Sequence, residues 1–440
     1  MKQIITAKLK LLAAPEQAQA LRVTQLAYRD GLNAVSQYAF EQGKTSNAKK
    51  LHQGMYDELR AHHLPSQLAC SVGRQVAATY KGLWTKLLKN KEHRRKKITK
   101  KRYKGLDQPP KYSSPTVQYT YERDYTFKSH QEVSVGTLNG RIIISYQGCD
   151  KHIALIQHGA SIGDAKLWYD TPKKIFYLLV SLEIDIDDPT PAQLQEVIGV
   201  DVGIRYLAVT STETGVPTFH SGKQVRHKAN HFARLRKRLQ RKGTRGAKHR
   251  LKRIAQRERR LKLQENHVIA KQIVKQHPRT LIGLEDLTDI RERTKRRKRK
   301  RKKNGKGYER VSQKARKANR VYSQWSFAEL HTLISYKAAL SGSLAIKVDA
   351  YMTSQACPMC GYTAKENRPG KGLLFVCQNE ECQYTLHADL IGARNVIVRT
   401  LLVQQDWIKT GHLSIAPDAS DNEAKAACRK RYAELRWSQV

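Results

Sequence analysis

Two textures divide this chain: stretches in which apolar residues recur at helical spacing, and stretches in which they alternate or run together as strands do. Residues 1–10 read as a short strand. Pro15 then stands where a proline favours the first turn of a helix, and Leu21, Tyr28, Leu32, Val35 and Ala39 follow at helical spacing. A second stripe, Leu68, Val72, Val76, Tyr80, Trp84 and Leu87, follows Pro65. Together they predict a small helical bundle over 13–107 whose stripes form its core. Its last part, Lys89 to Lys104, is too charged for any core and reads as a solvated loop or as a phosphate-contacting arm.

From Lys111 the texture turns to β. Val117–Tyr121, Val133–Leu138 and Arg141–Tyr146 predict strands, with Asn139-Gly140 as a two-residue hairpin turn. Leu167–Tyr169, the turn Asp170-Thr171-Pro172 and Ile175–Leu182 predict a further hairpin. The expectation is an antiparallel β-barrel or sheet over 1–12 and 108–190, with the helices inserted after its first strand. Asp185–Pro191, acidic and proline-bearing, reads as a linker.

Beyond it, Ile198-Gly199-Val200 and Tyr206–Val209 predict a hairpin of buried strands, interrupted by the single carboxylate Asp201. An ionised carboxylate on a buried strand needs a cation or hydrogen-bond donors, so Asp201 is a salt-bridged structural residue or a metal ligand. Val216–Phe219 suggests a third strand. Val225–Gln276 is a basic helical region whose apolar positions are Phe232, Leu235, Leu239, Leu251, Ile254, Leu261, Val268 and Ile273. Gly243 and Gly246 divide it into an antiparallel pair, either solvated or in contact with phosphates. Leu281–Glu285 repeats the Asp201 pattern, an apolar strand ending in an acid. Lys295–Lys303 is unbroken Lys and Arg, within a basic flexible segment at 291–320 expected to be disordered without a polyanion. A helix built on Trp325, Phe327, Leu330, Leu333, Ile334 and Ala338 leads to a strand at Leu344–Val348.

Charge sharpens the picture. The 440 residues carry 82 Lys plus Arg against 38 Asp plus Glu, a net charge of +44. Such a surplus repels itself unless a polyanion neutralises it, and nucleic acid is the commonest partner of that kind. No run reaches the roughly 18 apolar residues of a membrane span, and Met1–Thr6 does not read as a signal peptide. An intracellular protein without a membrane partner is expected.

Of the seven cysteines, Cys357, Cys360, Cys377 and Cys382 cluster as C-x2-C and C-x4-C, with Gly361, Gly370 and Gly372 suited to the turns between them. Four thiolates at knuckle spacing suit a tetrahedral, closed, structural zinc site over 350–385. Cys70, Cys149 and Cys428 read as buried or inert thiols, Met359 as packing and the His62-His63 pair as surface. Shortly after the last cysteine, Asp389 opens an apolar helix, where a simple N-terminal cap is the plain reading. Asp201, Glu285 and Asp389 can nonetheless converge, and such a trio could hold two divalent cations for phosphodiester hydrolysis, with oxygen ligands favouring magnesium or manganese. No G-x-S-x-G elbow, phosphate-binding loop or metal-spaced histidine pair competes with it.

The order Asp201 strand, basic helices, Glu285 strand, Tyr351-Met352-Thr353-Ser354-Gln355, cysteine ribbon and Asp389 helix resembles the TnpB family of transposon-encoded proteins, over about residues 197–403. Compact type V CRISPR effectors share that layout. The resemblance implies an α/β multidomain protein. Its RNase H-like RuvC nuclease domain, at 191–349 and 386–440, would carry the inserted zinc ribbon and use Asp201, Glu285 and Asp389 as catalytic acids. Arg394 and Asn395 match an Asn-bearing family region and would support the site. The barrel and bundle resemble wedge and recognition domains, which bind a structured guide RNA and a short duplex motif flanking the target, so that base pairing reads the sequence of double- and single-stranded target DNA. A monomer on one RNA, in the prokaryotic cytoplasm near the nucleoid, is implied. The family often has Asn where this chain has Ile391, and commonly C-x2-C where this chain has Cys377–Cys382. The implied function is an RNA-guided DNA endonuclease; the alternatives are a nuclease-silent RNA-guided repressor and a transposase or transposase accessory.

Overall fold

A computed structural model describes residues 2–95, 99, 101–114, 116–128, 131–171, 173–288, 299–301, 308–310, 326–369, 373–413, 422–434 and 437. The chain is mixed α/β and falls into two compact units, Met1–Ile186 and Asp187–Val440.

The first unit is a curled antiparallel sheet carrying a three-helix insertion. Strand β1 (Lys2–Leu11) turns Ala7, Leu9 and Leu11 into the core, and the chain then leaves the sheet for α1 (Pro15–Glu41), α2 (Ala48–Ala61) and α3 (Ser66–Arg95). The sheet resumes with β2 (Thr116–Tyr119), β3 (Tyr125–Phe127), β4 (Glu132–Thr137) and β5 (Gly140–Gln147). A short helix α4 (Asp150–His158) precedes β6 (Ser161–Asp170) and β7 (Ile175–Asp185). The spatial order is β2-β6-β7-β1-β5-β4-β3. Its two edge strands are consecutive in the chain and Tyr121 bridges to Tyr125, so the sheet is a nearly closed barrel. Leu21, Tyr28, Leu32, Val35 and Ala39 of α1 are at most 1 % exposed, each large side chain contributing roughly 1.5–3 kcal/mol by burial.

Several expectations shift here. The α4 helix had no clear sequence signal. The hairpin turn between β4 and β5 is Leu138-Asn139, and Gly140 starts the next strand at φ 104°, a conformation glycine adopts without penalty. The basic segment from Lys89 is helical as far as Arg95, because α3 simply continues past its apolar stripe. Cys149 is exposed, not buried.

The second unit is organised on a five-stranded sheet. Strands β8 (Glu196–Asp201), β9 (Tyr206–Thr212) and β10 (Pro217–Ser221) form an antiparallel meander. Helices α5 (Lys223–Lys242) and α6 (Arg245–Gln276) lead to β11 (Thr280–Glu285), parallel to β8. A two-stranded ribbon, β12 (Arg299–Arg301) with β13 (Tyr308–Arg310), precedes α7 (Phe327–Ala339) and β14 (Leu344–Val348), parallel to β11. The sheet order is β10-β9-β8-β11-β14. The cysteine region adds the hairpin β15 (Leu374–Val376) and β16 (Thr385–His387), which runs straight into α8 (Ala388–Thr410); α9 (Asn422–Glu434) is the last described helix.

Both faces of this sheet are covered, which is why its central strands read as continuous apolar runs. Ile198 and Val200 of β8 and Ile282 and Leu284 of β11 pack with Ile269, Ile273, Leu330 and Ile334 of α6 and α7. Val197 and Leu281 point the other way, to Ile397 and Trp407 of α8.

Gly243, at φ 67°, ends α5, whereas Gly246 lies in the first turn of α6, so one glycine divides the basic pair. Within the pair Glu258 is buried between Arg236 and Lys262. Val268 is 43 % exposed and does not belong to the apolar face. Trp325, Gly370, Gly372, Pro172, the side chain of Cys428 and all of Lys295–Lys303 except 299–301 lie outside the described residues. No helix among the described residues is long and apolar enough to cross a membrane.

Candidate active site

Alternation along β8 and β11 decides where the acids point. If Val197 and Leu281 face α8, then Gly199, Asp201, Gly283 and Glu285 face it too. The strands are parallel and in register, Gly199 opposite Gly283 and Val200 opposite Leu284, so Asp201 and Glu285 finish side by side at the carboxyl ends of the two central strands. Those ends flank the point where the sheet changes from antiparallel to parallel, the usual place for a site in an open α/β sheet.

The pair is electrostatically uncomfortable. Burial, followed by the charges of Glu285 and Asp389, pushes Asp201 well above the usual carboxylate range, with Arg368 partly offsetting it. Burial also raises Glu285, against a hydrogen bond from Thr353 and the charge of Arg399. The Thr353 hydroxyl donates to Glu285 Oε1 at 2.5 Å.

Asp389 enters from α8. It sits in the first helical turn, but the cap is His387, whose Nδ1 accepts the Asp389 amide at 3.2 Å; the carboxylate of Asp389 is therefore not spent on capping. Its charge reaches Asp201. Among the described residues, the group of three or more potential metal ligands that the structure brings together is the four cysteines, and the three acids do not form such a group.

Sequence reasoning missed the residues that hold this arrangement. A Cβ on Gly392 would lie 2.9 Å from Asp201 Oδ2, so glycine there lets the acid lie against the helix. Arg399, 6 % exposed, donates to the Asp349 and Tyr351 carbonyls and stacks on Tyr432 at 4.6 Å. Its signal was present: a charge inside the apolar run from Val396 to Leu402. Asn395 does not touch the acids. Its amide donates to the Thr353 and Ala356 carbonyls at 2.7 and 2.8 Å and so positions Thr353. Arg394 faces the cysteine ribbon, donating to the Tyr384 hydroxyl and lying 5.0 Å from the Trp437 ring.

In the ribbon, Cys357, Cys360, Cys377 and Cys382 present their sulfurs within 4.8 Å of one another, with 3.8 Å between Cys357 and Cys382 and 3.5 Å between Cys360 and Cys377. A tetrahedron of sulfurs about 2.3 Å from zinc has edges of about 3.8 Å. Burial pushes the Cys357 thiol up and the Cys377 thiol up to about 11, whereas at Cys360 burial is outweighed by hydrogen bonds that lower it, so a cation that binds thiolates would be needed to ionise all four. Asn367, fully buried, ties the knuckles together through the Gln355 and Tyr362 carbonyls and the Gln378 amide. Ile391 packs against Cys357, Phe375 and Cys377.

Residues 180–289 match a family described as "Probable transposase", and residues 327–396 match one described as "Cas12f1-like, TNB domain". The CRISPR-associated endodeoxyribonuclease Cas12f1 of Sulfoacidibacillus thermotolerans is 26% identical over 276 residues, 58% of this chain and 58% of its own. A TnpB-like protein of Methanocaldococcus jannaschii is 29% identical over 117 residues, 27% of this chain and 34% of its own. The chain spans little more than half the length of the first of these relatives and about a third of the second. Among solved structures, the mini-RNA-guided endonuclease CRISPR-Cas_phi3 aligns at 11% identity with a TM-score of 0.43, over 94% of this chain and 93% of that one. With stretches in both halves of the acid-bearing unit matched, the comparisons support a TnpB family member related to the Cas12f proteins.

Proposed function

We propose that this protein is an RNA-guided DNA endonuclease that hydrolyses phosphodiester bonds at Asp201, Glu285 and Asp389. The observation that carries the reading is the side-by-side placement of half-buried Asp201 and buried Glu285 at the ends of paired strands, with the charge of Asp389 acting on Asp201, a cluster that costs stability unless cations occupy it. The sheet order, with the acids on its two central strands and on the helix after the ribbon, supports an RNase H-like RuvC domain at 191–349 and 386–440, interrupted by a zinc ribbon at 350–385. The names of the relatives support the activity, and the +44 charge supports a nucleic-acid partner. The barrel at 1–12 and 108–190 and the helices at 13–107 would hold guide RNA and the flanking duplex.

Asp201, Glu285 and Asp389 would hold magnesium or manganese, which when bound would stabilise charge on the attacking and leaving oxygens. The residues prepare that site. Thr353 fixes the Glu285 carboxylate through its hydroxyl, Asn395 fixes Thr353, and Gly392 lets Asp201 lie against α8. Because Asp201 and Glu285 are both raised, cations held there would favour their ionised forms. Ile391 packs into the ribbon with Cys357, Phe375 and Cys377.

The test is cleavage of a plasmid carrying a randomised motif beside a guide-matched target, by protein co-expressed with its own downstream RNA. Magnesium-dependent cuts at a subset of motifs, lost in Asp201→Ala with RNA binding retained, are expected. Target binding without cuts would make the protein a nuclease-silent repressor.

A further inference from the structure

The carboxy-terminal end of α3 and the loop that folds back on it enclose a cleft of about 260 Å³. The loop is held in place. Asn90 on the helix donates to the Lys101 carbonyl at 3.1 Å and accepts the Tyr103 amide at 2.9 Å. The Tyr103 ring then lies where any side chain on residue 105 would stand, so Gly105 leaves it room. Trp84 lines the cleft from the helix, and its indole N–H donates to the Lys44 carbonyl at 3.0 Å. Lys44 itself holds φ 62°, which a non-glycine residue rarely adopts, and its ammonium lies 5.0 Å from the Phe40 ring.

The charge of the cleft is one-sided. Lys44, Lys91, Arg94 and Arg102 line it against a single acid, Asp107, and one Arg102 nitrogen spans both Asp107 oxygens at 2.6 and 2.5 Å. Lys91 and Arg94 are exposed and share a helix face. Aromatic rings beside surplus cations are the chemistry that takes a base by stacking and its phosphate by charge. The nuclease reading assigns the helices at 13–107 to guide RNA and the flanking duplex but names no site within them.

We propose that it is a nucleotide-binding site, holding one unpaired nucleotide with its base on Tyr103 and Trp84 and its phosphate on Lys91 and Arg94. The proposal rests on the reading of the protein as a nucleic-acid binder and adds an anchor outside the acid cluster.

The test uses the full chain with a short oligouridylate carrying 4-thiouridine and the matching oligothymidylate carrying 4-thiothymidine, cross-linked by light and mapped by peptide mass. Cross-links at Tyr103 or Trp84 are expected, and which oligonucleotide gives them identifies RNA or DNA as the source. Tyr103→Ala should weaken binding roughly tenfold, with Tyr103→Phe close to the parent. The surface pair Lys91→Glu, Arg94→Glu should also lower the salt slope by about 2. Binding with cross-links elsewhere and Tyr103→Ala unchanged overturns the cleft alone. Binding of neither oligonucleotide, with no RNA carried through purification, overturns the cleft and the nuclease reading together.

Discussion

Gly199 and Gly283 stand opposite one another on adjacent parallel strands, and both turn their bare Cα atoms toward α8. A Cβ on Gly199 would strike the Ala393 carbonyl, and one on Gly283 the Thr400 hydroxyl. The helix that carries Asp389 therefore rests on the backbone of the strands that carry the other two acids.

Gly199→Ala should push that helix outward. The expected cost is about 1–3 kcal/mol, since the collision is with backbone and no side chain can swing aside. Thermal unfolding measures the loss, and cleavage should fall further than stability does because Asp389 moves with the helix. Unchanged melting would mean the contact is looser than described.

The raised acids make stability depend on pH. Asp201 and Glu285 hold their protons more tightly folded than unfolded, so their contribution is complete below the ordinary carboxylate range, near pH 4, and is lost as pH climbs through the raised values. In buffer with a chelator of magnesium and manganese, the melting temperature should fall on going from weakly acid to neutral pH. Asp201→Asn should flatten that fall, and magnesium should stabilise the parent increasingly toward higher pH. A parent profile without slope would show that the acids are not coupled.

Thr353→Val removes the one hydroxyl that holds Glu285 and leaves the fold's apolar packing alone. Cleavage should drop about 10–100-fold, the usual effect of losing a residue that orients a metal ligand. Thr353→Ser should restore most of it, and equal activity in both variants would remove Thr353 from the site.

Cys377→Ser should release the ribbon's metal, read by elemental analysis, and loosen more than the ribbon. Ala388 and Ile391, in the first turn of α8, pack on Cys357, Phe375 and Cys377. Hydrogen exchange should therefore accelerate through Asp389 as well. Protection retained there would separate the ribbon from the acid site.

The apolar runs that end in Asp201 and Glu285 were legible because strands buried on both faces read as unbroken hydrophobic text. That the two runs would pair in register was not, since pairing between distant strands leaves no local trace. The same limit hid Gly392 and the role of Thr353, whose value lies in what they touch. Arg399 differs: a guanidinium among Val396, Ile397, Val398 and Leu402 could have been flagged as a buried charge in need of partners. The cysteines needed only their spacing. The helix at Asp150–His158 had too few periodic positions to stand out.

The position of α8 late in the chain has a consequence for the protein while it is being made. Asp201 and Glu285 leave the ribosome early, but the third acid follows the whole cysteine ribbon, and its helix seats only on a finished sheet. A nascent or prematurely terminated chain thus carries most of its basic residues without a complete acid cluster. Grip would be acquired first, and the capacity to cut only at the end of synthesis.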